Sequence, residues 1–91
     1  MRKEFRGTAR GRVQMVMYRD FAQRKARGLH IVGTVTNLPD KTVEVVAQGE
    51  EKDLEKYIAK LKRGSILSRV DGVEVEWREP SQSFEGFKIV Y

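Results

Sequence analysis

The stretch GRVQMVMYR, residues 11–19, joins an irregular apolar segment to an arginine and is the first candidate for chemistry. It shows neither strand alternation nor helical spacing, which starts only at Tyr18. Backbone N–H groups in a loop that enters a helix can converge on an anion. Arg19 adds a permanently charged, planar group that can hold two phosphate oxygens. The segment therefore predicts a phosphate-binding loop, made of Val13, Gln14, Met15, Val16, Met17, Tyr18 and Arg19.

A second candidate is Asn37, at the end of the β-branched stretch 31–38 and next to the turn signal Pro39-Asp40. An asparagine before a turn commonly hydrogen-bonds the local backbone. Its amide can also bind a water molecule, although it cannot take a proton from that water at neutral pH. The residue types alone leave both roles open.

Other residues that could do chemistry have simpler explanations. His30 is the only histidine, so it has no histidine partner for a metal site, and we expect it to be solvated at a helix–strand junction. We expect Met17, Tyr18 and Trp77 to pack in the core. The chain has no cysteine, which excludes disulfides, thiol nucleophiles and cysteine metal sites. We therefore expect no metal site.

The rest of the chain supplies the elements that would position these groups. Alternating apolar residues predict strands, and apolar residues at three- and four-residue steps predict helices. The strands cover about 3–13, 31–38, 42–48, 73–77 and 87–91, and the helices about 18–29 and 50–64. The order β-α-β-β-α-β, plus a short last strand, with right-handed crossovers predicts an antiparallel sheet with both helices on one face. We predict one domain, residues 1–91, with an α+β fold of the ferredoxin-like sandwich type.

The amino-acid composition limits the kinds of partner and the cellular location that we expect. The 91 residues include 18 Lys and Arg against 13 Asp and Glu, and the net charge of +5 favours an anionic partner without identifying it. The chain has no 18-residue apolar run and no signal-peptide core, so we expect a cytoplasmic protein that does not bind membranes. A small domain without disulfides is compatible with a reducing cytosol.

GRVQMVMYR and GTVTNLPD together resemble the acylphosphatase family, whose members carry G-x-V-Q-G-V-x-F/Y-R in the first loop and G-x-V-x-N at the end of the second strand. The similarity continues through VEVVAQGE, RVDGVEVEW and GFKIVY. It implies an enzyme that hydrolyses acyl phosphates, mixed anhydrides of carboxylic and phosphoric acid, without metal or cofactor. Inorganic phosphate would be product and inhibitor, and we expect a monomer. The resemblance implies that Arg19 holds the phosphoryl group and that Asn37 orients the attacking water.

The main departure from the family pattern is in the first loop, and Lys41 and the segment GSILSRV are milder departures. Met15 stands where the family usually has glycine, and a left-handed backbone there would cost roughly 1–2 kcal/mol or force the loop to relax. Its side chain could also crowd the phosphate. One alternative is therefore a domain that binds acyl phosphate or phosphate but hydrolyses poorly. An RNA-binding module of the same topology is less favoured, because residues 42–48 carry no aromatic side chain for base stacking.

Overall fold

The computed structural model describes residues 2–91. Every predicted element is present, in the predicted order. The elements are strand β1 (Arg2–Arg12), helix α1 (Tyr18–Gly28), strands β2 (Val32–Asn37) and β3 (Val43–Glu50), helix α2 (Glu51–Arg63), and strands β4 (Arg69–Arg78) and β5 (Phe87–Val90). Among the described residues, no helix has the length and apolar character that crossing a bilayer requires.

The five strands form one sheet in the order β4-β1-β3-β2-β5. The ferredoxin-like sandwich is confirmed, with one change of detail: β5 runs parallel to β2, so the sheet is mixed rather than wholly antiparallel. The reason lies in residues 79–86, which cross from one edge of the sheet to the other at the end where β4 stops. Strand β5 therefore starts at that end and runs opposite to β4, which is the direction of β2.

One face of the sheet is apolar, and the two helices cover it. Strand pairing aligns Phe5 of β1 with Ala47 of β3 and Trp77 of β4, and all residues of the same parity point to the helices. Phe5 and Tyr57 of α2 are fully buried there. The Trp77 ring packs edge-on against Phe5 with centroids 5.7 Å apart. It remains 43% exposed because β4 is an edge strand, so the core prediction for Trp77 was only partly right.

The opposite face is polar and holds one buried carboxylate, Glu4. Gln48 donates from Nε2 to Glu4 Oε1 at 2.8 Å, Arg78 donates from Nε to Oε2, and the Ser81 backbone N–H donates to Oε1 at 3.2 Å. Burial raises the pKa of this carboxyl group, but the hydrogen bonds outweigh burial and hold the pKa below the ordinary glutamate value. This cluster, Glu4 with Gln48, Arg78 and Ser81, fixes the segment between β4 and β5 to the sheet.

Candidate active site

The first loop, residues 13–17, connects β1 to α1 and has an unusual backbone. The dihedral φ is +62° at Met15 and again at Met17, whereas it is not positive at Gln14 or Val16. Alternation between right- and left-handed residues makes successive N–H groups point to one concave side, the arrangement called a nest. The alternation also explains why this segment looked like neither strand nor helix in the sequence.

The N–H groups of the first loop are free to bind a ligand. Within residues 2–91, no amide of residues 14–17 donates a hydrogen bond to the protein, and the first helical bond of α1 is Phe21 N–H to Met17 O at 3.1 Å. The N–H groups of Tyr18, Arg19 and Asp20 begin the helix and have no intrahelical acceptor. The loop and helix start therefore present a row of donors, with the positive end of the helix dipole behind them.

Both left-handed methionines point outward. Met15 is 98% exposed and packs against no other part of the protein, and that its side chain crowds a bound phosphate stays a prediction. Its left-handed φ is the conformation for which glycine is favoured. Met17 caps α1 and is 65% exposed, so the expectation that it packs in the core was wrong.

Three predicted loop residues hold the loop in place with their side chains. Val13 is buried, and Tyr18 is buried with its hydroxyl donating to Leu61 O at 2.8 Å. Burial raises the pKa of the Tyr18 phenol far above its ordinary value, so this group does not exchange protons near neutral pH. Gln14 donates from Nε2 to Leu38 O at 2.9 Å and to Thr42 O at 2.8 Å. Gln14 therefore ties the first loop to the β2–β3 turn.

That turn follows Asn37 and is itself well fixed. Asp40 Oδ1 accepts hydrogen bonds from the Thr42 N–H at 3.1 Å and from the Thr42 hydroxyl at 2.5 Å. These bonds lower the pKa of Asp40. Lys41, at φ +75°, donates its N–H to Leu38 O at 3.1 Å. The turn thus holds the end of β2 in a defined position beside the first loop.

Asn37 is the last residue of β2 and lies opposite Val43 on the helix-facing side of the sheet. Its Oδ1 is buried and has no hydrogen-bond partner among residues 2–91. Its amide also makes no hydrogen bond to the nearby backbone in that range, so the turn-stabilising role is not observed. A buried acceptor without a partner is uncommon in native proteins and needs an explanation such as a bound water or ligand.

Arg19 lies in the first turn of α1, beside the free amides. Its Cζ is 4.9 Å from the centroid of the Tyr91 ring, a cation–π contact that holds the guanidinium against the end of the sheet. In the described chain, Arg19 forms no ion pair with a carboxylate. Sequence reasoning placed Tyr91 only on a strand face and missed this contact, because nothing local to either residue signals it.

A cavity of about 340 Å³ opens beside Arg19. Its lining consists of Val13, Met15, Met17, Tyr18, Ile89 and Tyr91, together with Arg19 and Asp20. Most of the predicted loop therefore surrounds one cavity. Gln14, Val16 and Asn37 are outside this lining, and Asn37 is connected to the loop through the hydrogen bonds of Gln14. His30 is exposed at the end of α1, as expected, and takes no part. Residues 2–91 contain no group of three or more His, Cys, Asp or Glu that could hold a metal ion.

On this ferredoxin-like sandwich, the free amides lie beside an arginine that has no carboxylate partner among residues 2–91, an arrangement that could hold an anion. Comparison with known proteins identifies the family to which this domain belongs. The acylphosphatase family model matches residues 5–89. The acylphosphatase of Thermus thermophilus is 49% identical over 80 residues, which are 88% of this chain and 90% of that protein.

Solved structures agree with this match. The crystal structure of acylphosphatase from Bacillus subtilis superimposes with a TM-score of 0.94 at 34% identity over all of both chains. The HypF protein of T. kodakarensis gives a TM-score of 0.85 at 31% identity over 99% of this chain, but only 12% of the HypF chain. This chain belongs to the acylphosphatase family. The resemblance inferred from the motifs is thereby confirmed, together with the prediction of an enzyme that hydrolyses acyl phosphates.

Proposed function

We propose that the first loop and Arg19 bind the phosphoryl group of an acyl phosphate, which is then hydrolysed to a carboxylate and inorganic phosphate. The observation that carries this proposal is the row of backbone N–H groups beside the Arg19 guanidinium, which find no protein acceptor and no carboxylate partner, respectively, within the described part of the chain. Phosphoryl transfer asks a protein mainly for positioning and for charge stabilisation on the equatorial oxygens. Fixed amides and an arginine supply both.

Asn37 is proposed to orient the attacking water. Its Oδ1 is a buried acceptor that lacks a partner within the described residues, so one O–H of a water molecule would satisfy it. The water oxygen forms the new bond to phosphorus as the bond between phosphorus and the acyl oxygen breaks. The amide of Asn37 cannot accept the water proton, and we assign that role to a phosphate oxygen of the substrate.

The leaving group needs no protein acid in this scheme. A carboxylate is stable at neutral pH and departs with the electron pair of the broken bond. Tyr18 is the phenol nearest the loop, but its hydroxyl is buried and donates to Leu61 O, and its raised pKa keeps it protonated. The proposed reaction therefore needs no side chain that acts as an acid or base. The positive charge that stabilises the phosphoryl group comes from Arg19.

The test is hydrolysis of benzoyl phosphate, followed by absorbance, with EDTA present throughout. We expect turnover that EDTA does not reduce and that inorganic phosphate inhibits competitively, because phosphate occupies the same loop. Loss of activity on chelation, restored by a divalent ion, would contradict the metal-free scheme. A domain that binds phosphate but only weakly hydrolyses would show a phosphate-dependent rise in melting temperature without turnover.

We further propose a cytoplasmic monomer of one domain that does not bind nucleic acid or membranes. The absence of cysteine suits a reducing compartment. The polar face of the sheet carries ion pairs instead of stacking aromatics, such as Arg6 Nε to Glu44 Oε2 at 2.6 Å. Sedimentation at several concentrations tests the oligomeric state, and a titration with single-stranded RNA at physiological salt tests the nucleic-acid claim.

A further inference from the structure

We propose that Met15, Met17 and Tyr91 form the surface that binds the acyl group, and that the enzyme prefers acyl phosphates with a bulky, uncharged, apolar acyl group. This inference rests on the proposed function, because it assigns the part of the substrate that the phosphoryl site does not hold. It assigns a role to the side chains of Met15 and Met17, whereas the phosphoryl group is proposed to bind the backbone of the same loop.

The first observation is the exposure of large apolar side chains around one cavity. Met15 and Met17 are largely exposed, and Tyr91 is 94% exposed. Single exposed apolar residues are ordinary on a protein surface, but several that converge on one cavity indicate a binding surface. These three side chains line the same cavity as Arg19.

The second observation is their position relative to Arg19. A phosphoryl group held by the guanidinium leaves the acyl group of the same molecule within a few bond lengths of that site. The Tyr91 ring lies 4.9 Å from Arg19 Cζ, so the acyl group would meet this ring and the neighbouring side chain of Ile89. The cavity volume of about 340 Å³ falls within the range of small-molecule sites, roughly 300–1,000 Å³, and leaves room beside a phosphate.

The side-chain types suit an apolar group of variable shape. Methionine has an unbranched, polarisable side chain that adapts to different partners and contacts aromatic rings favourably. Tyr91 offers a flat face for stacking. Met15 and Met17 line the cavity with side chains that stay largely exposed, so these side chains are accessible to a bound acyl group. The loop therefore separates phosphoryl contacts, made by its backbone, from acyl contacts, made by its side chains.

The charges around the cavity argue against an anionic acyl group. Its charged lining residues within the described chain are Arg19, assigned to the phosphoryl group, and Asp20. No lysine or second arginine lines it to neutralise a carboxylate on the acyl group. The Asp20 carboxylate would repel such a group.

The experiment compares kcat/KM for benzoyl phosphate and acetyl phosphate in the native enzyme, Met15→Asn, Met17→Asn and Tyr91→Ala. Asparagine tolerates a left-handed backbone better than other polar residues, so it removes the apolar side chain without the added freedom of glycine. Both substrates carry the same phosphoryl group, so damage to phosphoryl binding cancels in the ratio of the two values. We expect each variant to lower the benzoyl-to-acetyl ratio roughly fivefold, as for loss of a modest apolar contact.

Ile66→Ser is the matched control. Ile66 is fully exposed and lines the neighbouring groove between α1 and the α2–β4 loop, which Met17 and Asp20 also line, but it does not line the cavity beside Arg19. It therefore removes an exposed apolar side chain of similar size, and we expect its ratio to equal that of the native enzyme. A ratio unchanged in the Met15, Met17 and Tyr91 variants would overturn the inference. If the native enzyme hydrolyses neither substrate, the proposed function fails instead.

Two substrates of equal chain length test the charge argument. We expect the native enzyme to hydrolyse hexanoyl phosphate with a kcat/KM about tenfold higher than that for adipoyl phosphate, which ends in a carboxylate. Asp20→Asn should narrow this difference, because it removes the repelling charge. Equal kcat/KM values for the two substrates in the native enzyme would overturn the preference for an uncharged acyl group.

Discussion

The polar groups at the two ends of strand β1 differ in whether the protein satisfies their hydrogen bonds. At the start, Glu4 is buried, and its oxygens accept hydrogen bonds from Gln48, Arg78 and Ser81. At the other end, within residues 2–91, the N–H groups of the first loop donate to no protein acceptor and the nearby buried Asn37 Oδ1 has no hydrogen-bond partner. Polar groups that hydrogen-bond within the protein stabilise the fold, whereas we propose that the groups without protein partners bind the substrate.

The backbone conformation also differs between the two ends of β1: it is regular around Glu4 and irregular in the first loop. Strand β1 pairs regularly on both sides around Glu4, with Gln48 of β3 and Arg78 of β4 as its neighbours. The first loop instead contains two non-glycine residues with left-handed φ, Met15 and Met17. Such conformations persist where the surrounding structure enforces them, and they concentrate at functional sites. Changes at the loop should therefore affect catalysis, and changes at Glu4 should affect stability.

The largest expected effect is on catalysis at the loop end. Arg19→Ala removes the cation that we propose to bind the phosphoryl group, and it should lower kcat/KM by about 10³-fold, equivalent to about 4 kcal/mol of transition-state stabilisation. Phosphate binding should weaken with it, and Arg19→Lys should restore only part of both, because lysine lacks the planar fork. Steady-state kinetics and phosphate titration measure these losses. Arg24→Ala, which removes an exposed arginine from the same helix, is the control and should change kcat/KM less than twofold.

Asn37→Ala should separate turnover from binding. We expect kcat to fall about 10²-fold while phosphate affinity stays nearly native, because Asn37 is assigned to the water and not to the phosphoryl group. The melting temperature should hardly change, since the substitution removes an acceptor that has no hydrogen bond within the described residues. Thr36→Ala, at the neighbouring position on the other face, serves as control. Equal losses of phosphate affinity in the Asn37 and Arg19 alanine variants would refute this division of roles.

Glu4→Gln should lower the stability of the protein and leave its activity nearly unchanged. The amide of glutamine cannot accept all the hydrogen bonds of the carboxylate, and Arg78 would lose its anionic partner, so we expect a loss of about 2–3 kcal/mol in the free energy of unfolding. That estimate allows for the partial exposure of Arg78. Urea unfolding measures it, while kcat/KM of the folded protein should stay within twofold of native. Glu74→Gln, in an exposed pair with Arg10, should change stability by less than about 0.5 kcal/mol.

The Glu4 cluster also gives a pH dependence of stability. Because the pKa of Glu4 is lowered in the folded state, its contribution is complete above the ordinary value of 4.5 and is lost as the pH falls through the folded pKa. The native protein should therefore lose stability below pH 4.5 more steeply than Glu4→Gln. Urea midpoints measured at pH 7, 5, 4 and 3 provide the comparison. Parallel pH curves for the two proteins would show that this carboxylate does not carry the acid sensitivity.

The two ends also differed in how far the sequence could predict them. Alternation and helical spacing are local signals, so they predicted every strand and helix, and the irregular segment before Tyr18 predicted the loop. The same alternation marks Glu4 as one more polar residue on the solvated face. Its burial depends on Ser81, 77 positions away, and on the path of residues 79–86, which also makes β5 parallel to β2. A local sequence pattern cannot predict contacts between residues that are so far apart in the sequence.

Within the site, the residue types indicated candidate residues but not the exposure of their side chains. Arg19 was identified by its charge at a helix start, and Asn37 by its place before a turn. The outward orientation of Met17 was missed because apolar residues are expected to be buried, and the left-handed backbone that overrides this expectation has no signature in a methionine. The contact of Tyr91 with Arg19 was missed because it joins the residue after the last strand to the first helix. The catalytic roles themselves remain predictions.

The smallest expected effect concerns Met15, where function imposes a local cost. At φ +62° a methionine is strained by roughly 1 kcal/mol, and its side chain is too exposed to recover this through packing. Glycine relieves the strain but adds entropy to the unfolded chain, so Met15→Gly should raise the free energy of unfolding by only about 0.5 kcal/mol. Met15→Ala, which removes the same side chain but keeps the strain, should give no gain. Because the native loop already has the left-handed backbone, kcat/KM for acetyl phosphate should change less than threefold in Met15→Gly. Urea unfolding of the three proteins decides the stability part: a gain in Met15→Ala equal to that in Met15→Gly would assign the effect to the exposed side chain, and the loop end would then carry no backbone strain at this residue.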